Sequence, residues 1–442
     1  MFLYKSICVV WPMAQSLIAM DHQLGQTLAS AVEYHHYLGL VLILLCFKYR
    51  RRLTQRPRRF QVRPWLTRRE QQGLYHNLFQ ELSLGEPDST DFFRFIRMEP
   101  AMFHEVLNKL SPLLERGSRR ALDPGIKLTI ALRFYATGDS FRDMAYSFRV
   151  AHNTISVLVR EVSDAIIQGY SNQVILPNEE EIWRQKGKKF GDRWNIPHAI
   201  GALDGKHIAI RCPRESGSRF YNYKGFYSIV LLALVDAEYK FMWVDVGANG
   251  SCSDAGIFRE TQLYRDLDAG IQGLPTTDPL PDDNTPFPYF ILGDNAFALK
   301  SWMMTPFSHR NKTKEEHIYN YRHSRGRRIV ECTFGIFAQR FRCFLKTLEV
   351  THRTARKITS ACVCLHNLHR TRYPLTDNYQ QEDMSQLLPG AWQDDNLAQE
   401  LNSVTGGTLA SRVARQHRVY LKTYFMKANP VDWQEDMLLP RY

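Results

Sequence analysis

The sequence predicts an all-α region followed by a mixed α/β domain, and three observations predict it. Apolar residues recur at helical spacing from Gln71 to about Gln168. From Lys206 the pattern changes to the strand-like runs KHIAIRC, FYSIVLLALVD and KFMWVDVGA, separated by turn residues. The order after that, three strands, helix, strand, helix, is that of a mixed sheet flanked by helices.

The chain has 442 residues, 44% of them hydrophobic, enough for one large domain or two to three ordinary ones and too apolar for a disordered tail. Its net charge of +12 points to a polyanionic partner, because basic patches attract phosphate independently of sequence. The eight cysteines form no CxxC pair and no zinc spacing, so neither a disulfide framework nor a zinc finger is expected, and a reducing compartment fits best.

Residues 1–70 read as a leader ending in a basic arm. Within it Leu38 to Phe47 is about half of the ~20 residues a membrane span needs, and reads as the buried face of a helix. An uncleaved signal anchor is the alternative. From Lys48 to Arg69 arginines dominate and acids are absent, the composition of a nuclear-import signal or of an arm that grips phosphates. Residues 71–170 then form the helical region. Its last part, SFRDMAYSFRVAHNTISVLVREV, scans as helix, turn, helix, with Met144, Ala145, Val150, Ile155 and Leu158 packing internally. Asn153, Thr154, Ser156 and Arg160 would face outward and reach bases or phosphates. Arg149 at the turn and Ala151 at the cap depart from that pattern, so a plain helical hairpin stays open.

Residues 171–194, with NEEEIW and KGKKFGDRW, read as a linker into the α/β domain over 195–371. Asp236 to Lys240 closes a hairpin; a helix follows near Asp254 to Asp266, a proline-rich loop from Pro275 to Pro288, the strand YFILGD and a helix near Leu299. Val330, Phe334, Phe337 and Phe341 place the next stretch on a helix, and ARKITSACVCLHNLHR is another, whose His366 and His369 read as core or capping residues. Residues 372–442 read as a polar tail.

Four acids stand where elements of this domain end or meet: Asp204, Asp254, Asp294 and Glu331. Singly each has an ordinary reading. Asp204-Gly205 is a turn pair, Asp254 and Asp294 cap helices, and Glu331 pairs with Arg327 or Arg328 one turn earlier. Gathered on one side of a sheet, they would instead hold two divalent ions for attack on a phosphodiester, since hard Mg²⁺ takes oxygen ligands and keeps waters. Lys206, Lys224, Arg327, Arg328, Arg340 and Arg342 would then surround the acids with positive charge for a DNA backbone. The run SRFYNYKGFYS could stack or contact nucleic acid through Tyr221, Tyr223 and Lys224, with Phe226 buried.

The blocks GALDGKH, SGSRFYNYKGFYSIVLLALVDAEYKF, VDVGANGSCSDAGIF, YFILGDNAFALKSWMM and NYRHSRGRRIVECTFGIFAQRFRC resemble, in order, the PIF/Harbinger transposases and their domesticated nuclease relatives of the animal branch. The resemblance covers Trp194 to Arg370 strongly and Arg63 to Gln168 more weakly. It implies a ribonuclease H-like, mixed five-stranded sheet with a DDE acid set that binds Mg²⁺ or Mn²⁺ and cuts double-stranded DNA at transposon ends. By motif, Asp204, Asp294 and Glu331 carry over as the catalytic acids and Asp254 as an additional metal ligand; Asp254 and Asp294 compete for second place in the triad. The resemblance further implies a nuclear protein, also cytoplasmic without its partner, that works with a Myb/SANT-like accessory protein and in some cases as a homo-oligomer. Gly326 stands where the family usually has alanine, and Cys332-Thr333 where Asn-Ala is commoner.

Overall fold

The computed structural model describes residues 34–48, 62–84, 90–118, 121–270, 273–374 and 412–431. The chain divides into two compact units, residues 1–64 and 65–442. The first contains helix α1 over 34–48. Its expected buried face is not there: Leu40, Leu42, Ile43, Leu44 and Leu45 are all exposed. The apolar residues are consecutive and encircle the helix, so no single stripe exists to bury. Among the described residues no helix is long and apolar enough to cross a membrane. Residues 49–61, most of the basic arm, lie outside the described residues.

The second unit opens with short helices α2 (Pro64–Thr67), α3 (Arg69–Gln72), α4 (Gln80–Leu84) and α5 (Thr90–Ile96). Prolines at the first helical position start α6 (Pro100–Leu114) and α7 (Pro124–Thr137), where a missing N–H leaves no bond unmade. Helices α8 (Phe141–Phe148) and α9 (His152–Tyr170) follow each other through a turn at Arg149 to Ala151, with Met144, Ala145, Val150, Ile155 and Leu158 all buried. Arg149 holds a left-handed conformation at φ 51°, which a non-glycine residue adopts at a cost of about 1–3 kcal/mol. Contacts offset that strain. The Arg149 side chain donates to the carbonyls of Trp65 (2.8 Å) and Gln72 (3.2 Å), and its own carbonyl accepts from Arg69 Nε at 3.1 Å. Ala151 caps α9 without a side-chain bond.

The expected linker is instead helix α10 (Glu180–Trp194). Trp183, Gly187 and Phe190 form its buried stripe, while Glu180 and Glu181 at its start and Arg193 at its end suit the helix dipole. Its many charges are a solvated face, and they hid three well-spaced apolar positions.

Strands β1 (Ala199–Ala209), β2 (Ser228–Val235) and β3 (Phe241–Asn249) form an antiparallel meander, closed between β2 and β3 by the turn at Asp236 to Lys240. The expected helix at 254–266 is two, α11 (Asp254–Glu260) and α12 (Gln262–Ala269), divided where Thr261 ends one and caps the next. The proline-rich loop carries a small ladder of β4 (Asp278–Pro279) and β5 (Pro286–Phe287). β6 (Phe290–Leu292) then pairs parallel with β1, and β7 (Met303–Met304) parallel with β6. The sheet order β3-β2-β1-β6-β7 is the mixed five-stranded, ribonuclease H-like arrangement. No helix forms near Leu299; after Lys300 the chain turns into β7 and satisfies its backbone at the sheet edge.

Helices α13 (Lys314–Arg340) and α14 (His352–Arg372) cover one face of the sheet, and a single apolar core joins them to α6, α7 and α9. A second core lies on the opposite face with α11 and α12. Gly326 sets the approach of α13: a Cβ there would lie 2.4 Å from Ile196 Cδ1 and 2.6 Å from Leu292 Cδ1, so alanine's helix propensity is given up for packing. The polar tail also needs correction, because helix α15 (Arg412–Lys427) buries Leu421, Tyr424 and Phe425. Gln380 to Asp383, Asp394 and Asp395 lie outside the described residues. His366 and His369 are core residues as expected, and His366 Nε2 donates to the Tyr239 carbonyl at 2.8 Å.

Candidate active site

Asp204 sits in the middle of β1, the central strand, and not at a strand end or in a turn as its Asp-Gly pair suggested. Opposite it in register lies Ala233 of β2, while β6 pairs with β1 on the other side as far as Ala202. Strand alternation sends Asp204 and Lys206 to the face covered by α13. There Arg327 Nη2 lies 3.3 Å from Asp204 Oδ2 and 3.0 Å from Glu331 Oε1. The i, i+4 spacing on α13 permits the second contact. Asp294 follows β6, with its Oδ1 accepting from the Ala296 N–H at 2.9 Å.

Asp254 lies against Gly205, which by the same alternation faces the other side of the sheet, the side of α11. A Cβ on Gly205 would lie 2.3 Å from Asp254 Oδ1 and 2.4 Å from Oδ2, so the carboxylate rests directly on the strand backbone. The helix cap there is Ser253, not Asp254. Burial raises Asp204 to about 6; Asp294 and Glu331 add to the shift and Arg327 opposes it. Burial likewise raises Asp254 to about 7, with Asp204 and Asp294 adding. The four acids therefore share one electrostatic neighbourhood. Desolvation would lower Arg327, but Asp204, Glu331 and Asp294 together raise it above its ordinary value.

We expect Gly205→Ala to fold, since the clash falls on a side-chain carboxylate and alanine suits a strand better than glycine. It should weaken Mn²⁺ binding by about 10–100-fold, the range seen when a ligand loses its support. Calorimetric titration beside thermal melting would separate the two effects.

The donors are all carboxylate oxygens, which suits Mg²⁺ or Mn²⁺. The Arg327 guanidinium already acts as a cation between Asp204 and Glu331, and its buried Nε has no hydrogen-bond partner among the described residues. As the side chains stand, no group of three or more His, Cys, Asp or Glu among the described residues is arranged to hold a metal. The donor chemistry fits a divalent ion.

The proposed basic rim is brought together only in part. Burial lowers the pKa of Lys206, with Lys224 lowering it further, and its ammonium lies 5.9 Å from the Phe334 ring centre. Lys224 and Arg328 are exposed. Arg340 turns away to the helical region, donating to the Arg97 carbonyl at 3.1 Å. Arg342, also exposed, acts on Arg97 together with Arg133 and Arg94; desolvation and these like charges lower the Arg97 pKa. Asn153, Thr154, Ser156 and Arg160 are exposed on α9, as predicted.

Acid should destabilise the fold before ordinary carboxylates titrate. Burial pushes His207, His323 and His369 down to about 4 and His366 to about 3. Unfolded, these four take up protons below about 6.5, which favours the unfolded state as pH falls. Asp204 and Asp254 oppose this, holding protons in the folded state that an unfolded chain has released above about 4. Burial lowers His198 and His417 as well, so the histidines outweigh the two aspartates and unfolding takes up protons between about pH 4 and 6. Stability should fall with acidification by roughly 1.4 kcal/mol per pH unit for each net proton taken up, read from urea midpoints.

Residues 203–367 match the family described as DDE superfamily endonuclease. The chain is 28% identical over 252 residues to "Putative nuclease HARBI1" of Bos taurus, covering 56% of this chain and 68% of that protein. Against the Homo sapiens protein of the same name the identity is 27% over the same shares. "Protein ALP1-like" of Arabidopsis thaliana is 22% identical over 55% of this chain and 59% of its own length. No solved structure matches. The acid motifs, the sheet order and these matches agree: residues 203–367 are similar to the DDE superfamily endonucleases, and the chain is similar to their Harbinger-derived relatives.

Proposed function

We propose that the protein is a divalent-metal-dependent DNA endonuclease of the transposase type, which hydrolyses phosphodiester bonds at transposon ends and can join the freed 3′-hydroxyl to target DNA. The observation that carries this reading is Asp204 in the middle of the central strand, bridged through Arg327 to Glu331 and acted on electrostatically by Asp294, with Asp254 in turn acted on by both aspartates. Asp204, Asp294 and Glu331 would bind the ions, with Asp254 as a fourth ligand resting on Gly205. Two Mg²⁺ or Mn²⁺ ions, when bound, supply an activated water and charge stabilisation at the leaving oxygen. Arg327 holds Asp204 and Glu331 in register and, once released, is placed to take a phosphate oxygen. Lys206, Lys224 and Arg328 provide positive charge for the DNA backbone beside the acids. Asn153, Thr154, Ser156 and Arg160 present the exposed face of α9 to the duplex. Nuclear residence and a Myb/SANT-like partner belong to the same reading, as does a homo-oligomer that pairs two transposon ends.

The test is cleavage of labelled DNA by the purified chain with Mg²⁺, Mn²⁺ or EDTA, repeated with Asp204, Asp254, Asp294 and Glu331 replaced singly by alanine. Metal-dependent nicking lost in the Asp204, Asp294 and Glu331 variants supports the enzyme. A second reading is a DNA- or chromatin-binding adaptor that keeps the fold as a scaffold. It is favoured by Arg327, which neutralises two of the acids without metal. Equal DNA binding by wild type and variants, with no cutting in any, would select it.

A further inference from the structure

The stretch between β1 and β2 ends in a turn that presents an aromatic ring beside the acids. Asn222 is buried and organises that turn. Its Oδ1 accepts from the backbone N–H of Lys224 (3.0 Å) and of Phe226 (3.2 Å), while its Nδ2 donates to Ser228 Oγ at 2.9 Å. Ser228 Oγ in turn lies 2.9 Å from His207 Nδ1, which ties the turn to β1 three residues beyond Asp204. On this fixed base Tyr223 is 73% exposed, its ring set edge-on to His207 with centroids 5.6 Å apart at 68°. Phe226, expected to be buried, is half-buried and packs on the other side of His207 at 6.2 Å. Lys224, adjacent in sequence, is exposed and acts electrostatically on Asp254, Lys206 and His207 alike.

A large ring held this exposed in a hydrogen-bonded turn gains nothing for the core. The Lys224 ammonium lies 5.4 Å from the Tyr223 ring centre, and an aromatic ring beside an exposed ammonium is what an unpaired nucleotide needs, one group for the base and one for its phosphate. The base pairs of an intact duplex are stacked on their neighbours and offer no free face.

We propose that Tyr223 is a stacking platform for an unpaired base next to the scissile phosphate, so that the site takes DNA whose strands are locally opened. This rests on the endonuclease reading for the identity of the nucleic acid, while its test reads binding alone. Tyr223 determines which DNA is held, Lys224 anchors the neighbouring phosphate, and Asn222 is a positioning residue for both.

Fluorescence anisotropy of the full chain in EDTA would compare a labelled duplex with the same duplex ending in a single-stranded fork. Wild type should bind the fork more tightly. Tyr223→Ala should bind the fork about tenfold more weakly and leave duplex binding unchanged; Tyr223→Phe should retain the preference, and Lys224→Ala should weaken both. Because Tyr223 is exposed, the alanine variant should melt with wild type. Equal binding of fork and duplex by wild type overturns the proposal, as does a Tyr223→Ala variant that loses both equally. Tighter binding of an RNA fork overturns its assignment to DNA. None of these outcomes touches metal-dependent cleavage, whose failure would be seen separately in the Asp204→Ala assay.

Discussion

Asp204→Asn is expected to abolish metal-dependent cleavage, by roughly a thousandfold or more, while the protein remains as stable as wild type. The rate loss corresponds to about 4 kcal/mol of transition-state stabilisation. Asparagine keeps the shape of the side chain on a strand paired with β2 on either side of this position, so the backbone has no reason to move. What disappears is a charge that acts on Asp254 and Arg327 alike. Asp204 is held near Arg327, and its charge contributes to raising Asp254. Removing it relieves repulsion among buried acids and leaves Arg327 paired with Glu331 alone. A stability gain of a few tenths of a kcal/mol with no cutting would be the signature of a functional site, where charge is retained at the expense of the fold. Cleavage that survives in Asp204→Asn would sink the three-acid assignment. Unfolding measured in parallel guards against reading a collapsed protein as an inactive one.

Much of this site was legible in the sequence, and the misses share a physical cause. Glu331 could be placed on a helix because Val330, Phe334 and Phe337 repeat at helical spacing, and they are buried as that spacing required. Asp294 was legible because an apolar run stops at it. Asp204 reads as a strand-end residue because the strand-like run starts at Lys206, and only pairing with β2 from Ala202 to Ala209 puts it inside the strand. Arg327 was read as a rim cation or as a helical partner of Glu331. Its bond to Asp204 crosses 123 residues, and no local pattern encodes it. The same limit explains α10 and α15, whose buried stripes have meaning only against the elements they cover.

Arg322→Ala should be the most destabilising single change outside the apolar core, by about 3–5 kcal/mol. Arg322 is fully buried on α13, the helix that carries Arg327 and Glu331. Its Nη1 donates to the Asn429 carbonyl at 2.6 Å, and its Nη2 to Asn429 Oδ1 at 2.7 Å and to the Asn195 carbonyl. The guanidinium also stacks 3.9 Å from the Phe425 ring centre of α15. Burial pushes its pKa down to about 10, so the cation persists at neutral pH, with carbonyls rather than carboxylates as its partners among the described residues. Truncation strands three acceptors, each costing about 1–3 kcal/mol if water cannot reach it, and detaches α15. Arg322→Met, which fills the space without donating, separates the hydrogen bonds from the packing. The clamp joins α13 to Asn195, which leads into β1, and so fixes the helix of Glu331 against the strand of Asp204. Loss of the clamp should therefore lower cleavage even where the variant is fully folded, and supplying the missing hydrogen bonds with Arg322→Lys should recover part of it. If Arg322→Met unfolds at lower urea but cuts normally while folded, the clamp serves the fold alone and the register of the two acids is set elsewhere.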